Sequence, residues 1–189
     1  MDLLHLILAT LAFLGGFVLA AVSWRRGSER PHGLSIPIAV VGLVFQTLFL
    51  HERGQLHGRC PITNGAEVLV FVSWSLVILY LALGRAFRLS LLGLFSMPMV
   101  FLLQLVAIVY LAVADPGARP PTRLDPWLEL HAAMSLLAYG AFGLAGIAGV
   151  MYLVQNRQLK SHRPGRLFYS LPPIRHLATA LVRLLVIGA

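Results

Sequence analysis

The chain has one cysteine, seven acidic residues and only 12% charged positions in 189 residues. With Cys60 alone, no disulfide can form within the chain. There is neither a Cys-x-x-Cys pair nor a Cys-x-x-Cys-His site. These absences exclude a dithiol oxidoreductase and a protein that carries covalent c-type haem of its own. No nucleophile stands beside a base, no carboxylate pair lies within an apolar run, and no phosphate-binding loop is present. Nothing therefore marks the chain as an enzyme acting on its own. No internal repeat or matched pair of broken helices appears, so a secondary transporter finds no support.

What is present is apolar surface. Hydrophobic residues make up 58% of the chain and the mean hydropathy is +0.82, well outside the range of soluble domains. The chain is an integral membrane protein by composition. A net charge of +8 and a pI near 10.8 would suggest nucleic acid as partner in a soluble protein. Here the basic residues gather in short segments between apolar blocks, the pattern that orients a protein in lipid. No nucleic acid partner is expected. Met1-Asp2 supplies no basic region ahead of the first apolar block and no small-residue cleavage site follows it, so an uncleaved first span is expected.

Apolar runs of about 20 residues are the length needed to cross a bilayer. They fall at 3–24, 34–50, 66–83, 89–114 and 127–154, with a sixth over 177–189 that is incomplete at Ala189. The expected fold class is all-α: a single membrane domain over 1–189, built as a polytopic transmembrane helix bundle of about six spans. Arg25, Arg26, Arg30, Arg85, Arg88, Arg157, Lys160, Arg163, Arg166 and Arg175 all fall in alternate connections. The positive-inside rule places these in the cytoplasm, and the N-terminus with the connections 51–65 and 115–126 on the outer side.

Within the spans, Ala138, Ala141, Ala145 and Gly149 follow small-residue spacing, with Gly143 and Gly146 thinning the same helix, a pattern suited to close helix packing. Pro98 is expected to kink the fourth span. Gln46 and Gln104 read as inter-helix hydrogen-bonding groups. In Pro61-Ile-Thr63-Asn64-Gly-Ala-Glu67, Asn64 can accept from the Glu67 amide while Glu67 reaches back to the Asn64 amide, a capping box at the start of a helix that continues to Trp74. A carboxylate there also suits the positive helix terminus.

The fifth span begins at Asp125-Pro126, an N-cap followed by proline at the first helical position. That start places His131 about one and a half turns in. An ionisable group inside a membrane span is a functional hypothesis by default, although a hydrogen-bonded structural histidine reads equally well. Trp127 lies one turn before His131, with Ser135 and Tyr139 one and two turns after it. Together they could wall a flat aromatic macrocycle, with His131 an axial ligand to haem iron. Tryptophan and tyrosine also collect at membrane interfaces whatever the function. His51 and His57 lie on the same outer side, and His51 could supply a second imidazole if the second and fifth spans are neighbours. His5 has no partner in view, and His32, His162 and His176 lie in or beside basic segments.

Gly58-x-x-Pro61-x-Thr63-Asn64-x-x-Glu67 leading into Phe71-x-Ser73-Trp74, then Trp127-x-x-x-His131 with Tyr139, resembles the cytochrome c assembly family of membrane proteins. This is the CcsA/ResC group with its HemX-like and CcmC relatives. The resemblance runs from the second span to the end of the chain and includes Leu171-Pro172-Pro173. It implies a multi-pass protein of the bacterial plasma (inner) membrane that binds non-covalent haem b transiently at the outer face and presents it to apocytochrome c. Other cytochrome c biogenesis membrane proteins would be its partners, and His131 would match the family's axial histidine. The family's tryptophan-rich segment would lie beyond Ala189. The chain is therefore expected to be an incomplete member, to have its partner half supplied by another polypeptide, or to belong to a divergent branch with no complete haem site; the alternative function is a non-catalytic HemX-like membrane regulator or scaffold.

Overall fold

A backbone in lipid must satisfy its own hydrogen bonds, so each apolar run closes into a helix. The computed structural model describes residues 2–26, 32–86, 92–114, 125–161, 171 and 173–189. These form six helices: α1 (Asp2–Arg25), α2 (His32–His57), α3 (Gly65–Ala86), α4 (Leu92–Ala114), α5 (Pro126–Lys160) and α6 (Ile174–Gly188). No strand occurs among the described residues. Arg30, Arg88, Arg119, Arg123, His162, Arg163, Arg166 and Pro172 lie outside them. The first five helices are long and apolar enough to cross a membrane, and the protein is a polytopic helical membrane protein.

Two boundaries differ from the sequence reading in ways that matter. The second run does not stop at Leu50. α2 continues to His57 and ends on Gly58, whose φ of 60° is the left-handed conformation glycine adopts without strain. The Arg59 amide donates to the Gly54 carbonyl at 3.2 Å and the Gly58 amide to the Gln55 carbonyl at 3.3 Å, the paired bonds of a Schellman stop. The last helix begins earlier than expected, at Ile174, with Pro173 at its N-cap, and is 15 residues long. Prolines at 37 and 98 both sit inside continuous helices. The fourth run, where Pro98 was expected to kink the span, stays helical through that proline.

α1 packs on α2 and α4, and α3 joins α4 and α2 to complete a four-helix group. α5 lies against the outside of α3, and α6 lies against α5. The α3–α5 contact is close because Gly140 faces Ser75 and the Leu76 backbone, leaving no room for a side chain. Ser75 Oγ reaches the Leu136 carbonyl across the gap at 3.3 Å. Of the expected small-residue stripe, Ala141 and Ala145 are buried and Gly149 meets Leu181 of α6, whereas Gly146 faces open space. Gly188 meets the Phe142 ring while Leu181 meets Gly149, so α6 runs antiparallel to α5 along its C-terminal part.

The core divides into two apolar clusters. One gathers Phe13, Leu76, Met97, Leu144, Met151, Leu177 and Leu184. The other, with Leu6, Phe49, Leu50, Ala66, Val70 and Leu111, lies at the end of the bundle where α1, α3 and α5 start. Deeper polar groups bridge helices as expected of Gln46 and Gln104. Gln46 Nε2 donates to Ser73 Oγ at 2.8 Å, and Thr10 Oγ1 donates to Gln104 Oε1 at 2.9 Å.

Candidate functional site

The end of the bundle that holds the start of α1 carries most of the described polar chemistry. Glu67, in the first turn of α3, is fully buried, and His57 at the end of α2 is 1% exposed. His57 Nε2 lies 3.1 Å from Glu67 Oε1. The same oxygen accepts from Asn64 Nδ2 at 3.1 Å. Glu67 Oε2 accepts from the Thr63 amide at 2.7 Å and from Thr63 Oγ1 at 2.8 Å. The Glu67 amide donates to Asn64 Oδ1 at 2.9 Å. The expected capping box is therefore half as read: Asn64 caps α3, but Glu67 reaches back to Thr63 and to the Asn64 side chain rather than to the Asn64 backbone amide.

Two further pairs tie α1 to α2 at this end. His5 Nδ1 is 3.1 Å from Glu52 Oε2, and Arg53 Nε is 3.0 Å from Asp2 Oδ2, with the guanidinium over the Phe49 ring. His5, His57 and Arg53 are thus not stray outer-loop groups. Each is held because α2 carries its helix two turns past Leu50, and Gly58 directly after His57 is the sequence signal that marks that end.

Between the 58–64 connection and the first turns of α5 lies a cleft of about 300 Å³, lined by Arg59, Cys60, Ile62, Thr63, Leu128, Glu129 and Ala132. The Cys60 amide makes a long 3.4 Å bond to Glu129 Oε2. Burial, with the Glu129 and Glu67 carboxylates nearby, pushes the Cys60 thiol up from its ordinary range. Pro61 lies within this connection. Trp74 follows two turns into α3, its indole donating to Thr47 Oγ1 at 2.9 Å.

α5 starts where the sequence says it should: Asp125 is the N-cap, its carboxylate accepts from the Trp127 amide at 3.1 Å, and Pro126 follows. The first buried residue of α5 is Leu136, so its opening turns are only partly covered. Trp127 is 76% exposed and Tyr139 57%, and His131 is exposed with them. The His131 carbonyl accepts from Ser135 Oγ at 2.8 Å. Among the described residues no hydrogen bond or ion pair engages its ring. His51 is exposed on α2, a helix packed on α1 and α3, while α3 in turn packs on α5. Among the described residues no group of three or more metal-ligating acidic, histidine or cysteine side chains gathers at one point.

Several known proteins are similar to this chain. Protein HemX of Brevibacillus brevis is 29% identical over 86% of the chain and 60% of its own length. Protein HemX of Bacillus subtilis (strain 168) is 28% identical over 76% of the chain and 52% of its own length. The cytochrome c biogenesis protein CcsA of Trieres chinensis is 27% identical over 74% of the chain and 44% of its own length. The chain spans about half the length of these relatives. No solved structure matches. Residues 62–189, from the Thr63–Glu67 capping segment through α5 to α6, match the family described as cytochrome C assembly protein. The chain belongs to the cytochrome c assembly protein family.

Proposed function

We propose that this protein handles haem in cytochrome c biogenesis, binding or relaying it at the outer face of a bacterial plasma membrane for attachment to apocytochrome c. The observation that carries the reading is His131: an imidazole in the second turn of α5, exposed, with neither ring nitrogen engaged among the described residues. A free neutral imidazole is what haem iron takes as an axial ligand. The exposed Trp127 one turn before it and Tyr139 two turns after it offer aromatic surface along the same helix. The residues therefore fit the group. When bound, haem supplies the vinyl carbons to which cysteine thioethers are joined. His131 would hold the iron, Trp127 and Tyr139 would flank the ring, and other biogenesis membrane proteins would complete the enclosure. Arg25 at the end of α1 and Arg157 and Lys160 at the end of α5 support placing the opposite end, with His131, outside.

Purified protein should show a Soret band that weakens in His131→Ala; an absorbance indifferent to that substitution sinks the proposal. A second reading is favoured by the two relatives named HemX: a membrane scaffold in which His131 is structural. Covalent-haem staining of membranes from a deletion strain separates the two, since a scaffold reading predicts unchanged cytochrome c and the haem-handling reading predicts its loss.

A further inference from the structure

The cleft beside α5 has walls of opposite charge. Arg59 stands on one side, and its buried Nε has no hydrogen-bond partner. Glu129 stands on the other, and among the described residues it holds only the long contact to the Cys60 amide. Among the described residues no ion pair joins Arg59 to Glu129. The rest of the lining is mostly apolar, with Ile62, Leu128 and Ala132 beside Cys60 and Thr63.

Size and depth narrow the ligand. Ligand sites run from about 300 to 1,000 Å³, and a cleft of about 300 Å³ is too small to enclose a macrocycle. At about 100° per residue, His131 and Trp127 lie on the opposite flank of Leu128 from Glu129, so the cleft is turned away from both, and Tyr139, on the Leu128–Ala132 side, stands about two turns further along the helix than the cleft. It opens level with the first turns of α3 and α5, the depth of lipid headgroups for helices that cross a bilayer. A ligand here must offer an anion to Arg59, a cation with N–H donors to Glu129, and an apolar tail to Leu128 and Ala132.

We propose that this cleft binds a phospholipid with a primary-amine zwitterionic headgroup, its phosphate on Arg59, its ammonium on Glu129 and an acyl chain along Ile62, Leu128 and Ala132. Arginine suits phosphate because its planar fork donates two parallel hydrogen bonds. A quaternary choline ammonium has no N–H for the Glu129 carboxylate, and an anionic glycerol headgroup has no cation at all. The structure thus ranks phosphatidylethanolamine above both phosphatidylcholine and phosphatidylglycerol. The proposal is independent of the haem reading.

The test is native mass spectrometry of the protein released from nanodiscs of equal phosphatidylethanolamine, phosphatidylcholine and phosphatidylglycerol content. Phosphatidylethanolamine should be retained preferentially. Arg59→Ala should lower its retention about tenfold, the loss expected for one hydrogen bond to a charged group. Arg59→Lys should keep part of it, and Glu129→Gln should erase the preference over phosphatidylcholine. Equal retention of the three lipids, or phosphatidylethanolamine retention unchanged in both Arg59→Ala and Glu129→Gln, overturns the proposal. Binding of soluble glycerophosphoethanolamine without retention of any lipid overturns it as well.

Discussion

His57 Nε2 and Glu67 Oε1 meet at 3.1 Å with both side chains out of solvent, and this one contact joins the end of α2 to the start of α3. Removing the carboxylate would leave the buried His57, Thr63 and Asn64 donors without their acceptor, and a buried polar group left unsatisfied costs about 1–3 kcal/mol. Glu67→Ala should cost about that much and His57→Ala less, because Thr63 and Asn64 still donate to the carboxylate. Thermal unfolding in detergent should rank wild type above Glu67→Gln, and Glu67→Gln above Glu67→Ala. A Glu67→Ala protein as stable as wild type would refute the buried pair.

The approach of α5 to α3 sets a second expectation. A Cβ on Gly140 would collide with Ser75 Oγ and lie 2.9 Å from the Leu76 backbone nitrogen. Gly140→Ala should therefore destabilise by about 1–3 kcal/mol, the usual range for overpacking. Gly146, with nothing within 4 Å, should accept alanine with no loss and gain from the better helix former. Removing the Ser75 hydroxyl should rescue Gly140→Ala only in part, since the backbone contact remains. Melting temperatures of the single and double variants measure that coupling.

The spans were legible because lipid leaves helices little alternative: five apolar runs became α1 to α5. Legible too were Asp125 as a cap, Asn64 as a cap, and the bridging amides of Gln46 and Gln104. What the sequence reading lost lies past Leu50, where hydropathy falls at His51-Glu52-Arg53 but the helix does not. Arg53, His57 and Glu52 are polar in sequence and paired in space, with Asp2, Glu67 and His5. Those partners are 47 to 51 positions away or, for His57, across a turn of left-handed glycine. An apolar-run criterion cannot see a helix end that is stabilised by such pairs. His131 stands on its helix where the Asp125-Pro126 start puts it, but its exposure depends on how neighbouring helices pack against α5, which no local pattern encodes.

The interior amide bridges support a third prediction. Gln46 Nε2 bonds Ser73 Oγ while among the described residues Gln46 Oε1 has no hydrogen-bond partner, so Ser73→Ala leaves the whole amide unsatisfied. Interhelical hydrogen bonds inside membranes are worth about 0.6 kcal/mol on average and rarely more than about 1.7. Ser73→Ala should cost an amount in that range. Adding Gln46→Leu, which replaces the stranded amide by an apolar group, should recover most of it. A double variant less stable than Ser73→Ala alone would show that Gln46 serves something other than this bridge.

The last prediction concerns pH. Cys60 has its thiol pushed up, first by burial and then by the Glu129 and Glu67 carboxylates. A thiolate is the reactive form, so Cys60 should label with maleimide more slowly near neutral pH than a free thiol of ordinary acidity. Its labelling rate should keep rising with pH beyond the point where the free thiol has levelled off. The sign for stability follows. Folding favours the protonated thiol, so this contribution is full below the ordinary thiol range and is lost as pH climbs through the raised value. Glu129→Gln removes one of the two carboxylates and should speed labelling at neutral pH while leaving the burial of Cys60 intact. Labelling as fast as a free thiol in wild type, or slower in Glu129→Gln, would contradict the placement of that carboxylate beside the thiol.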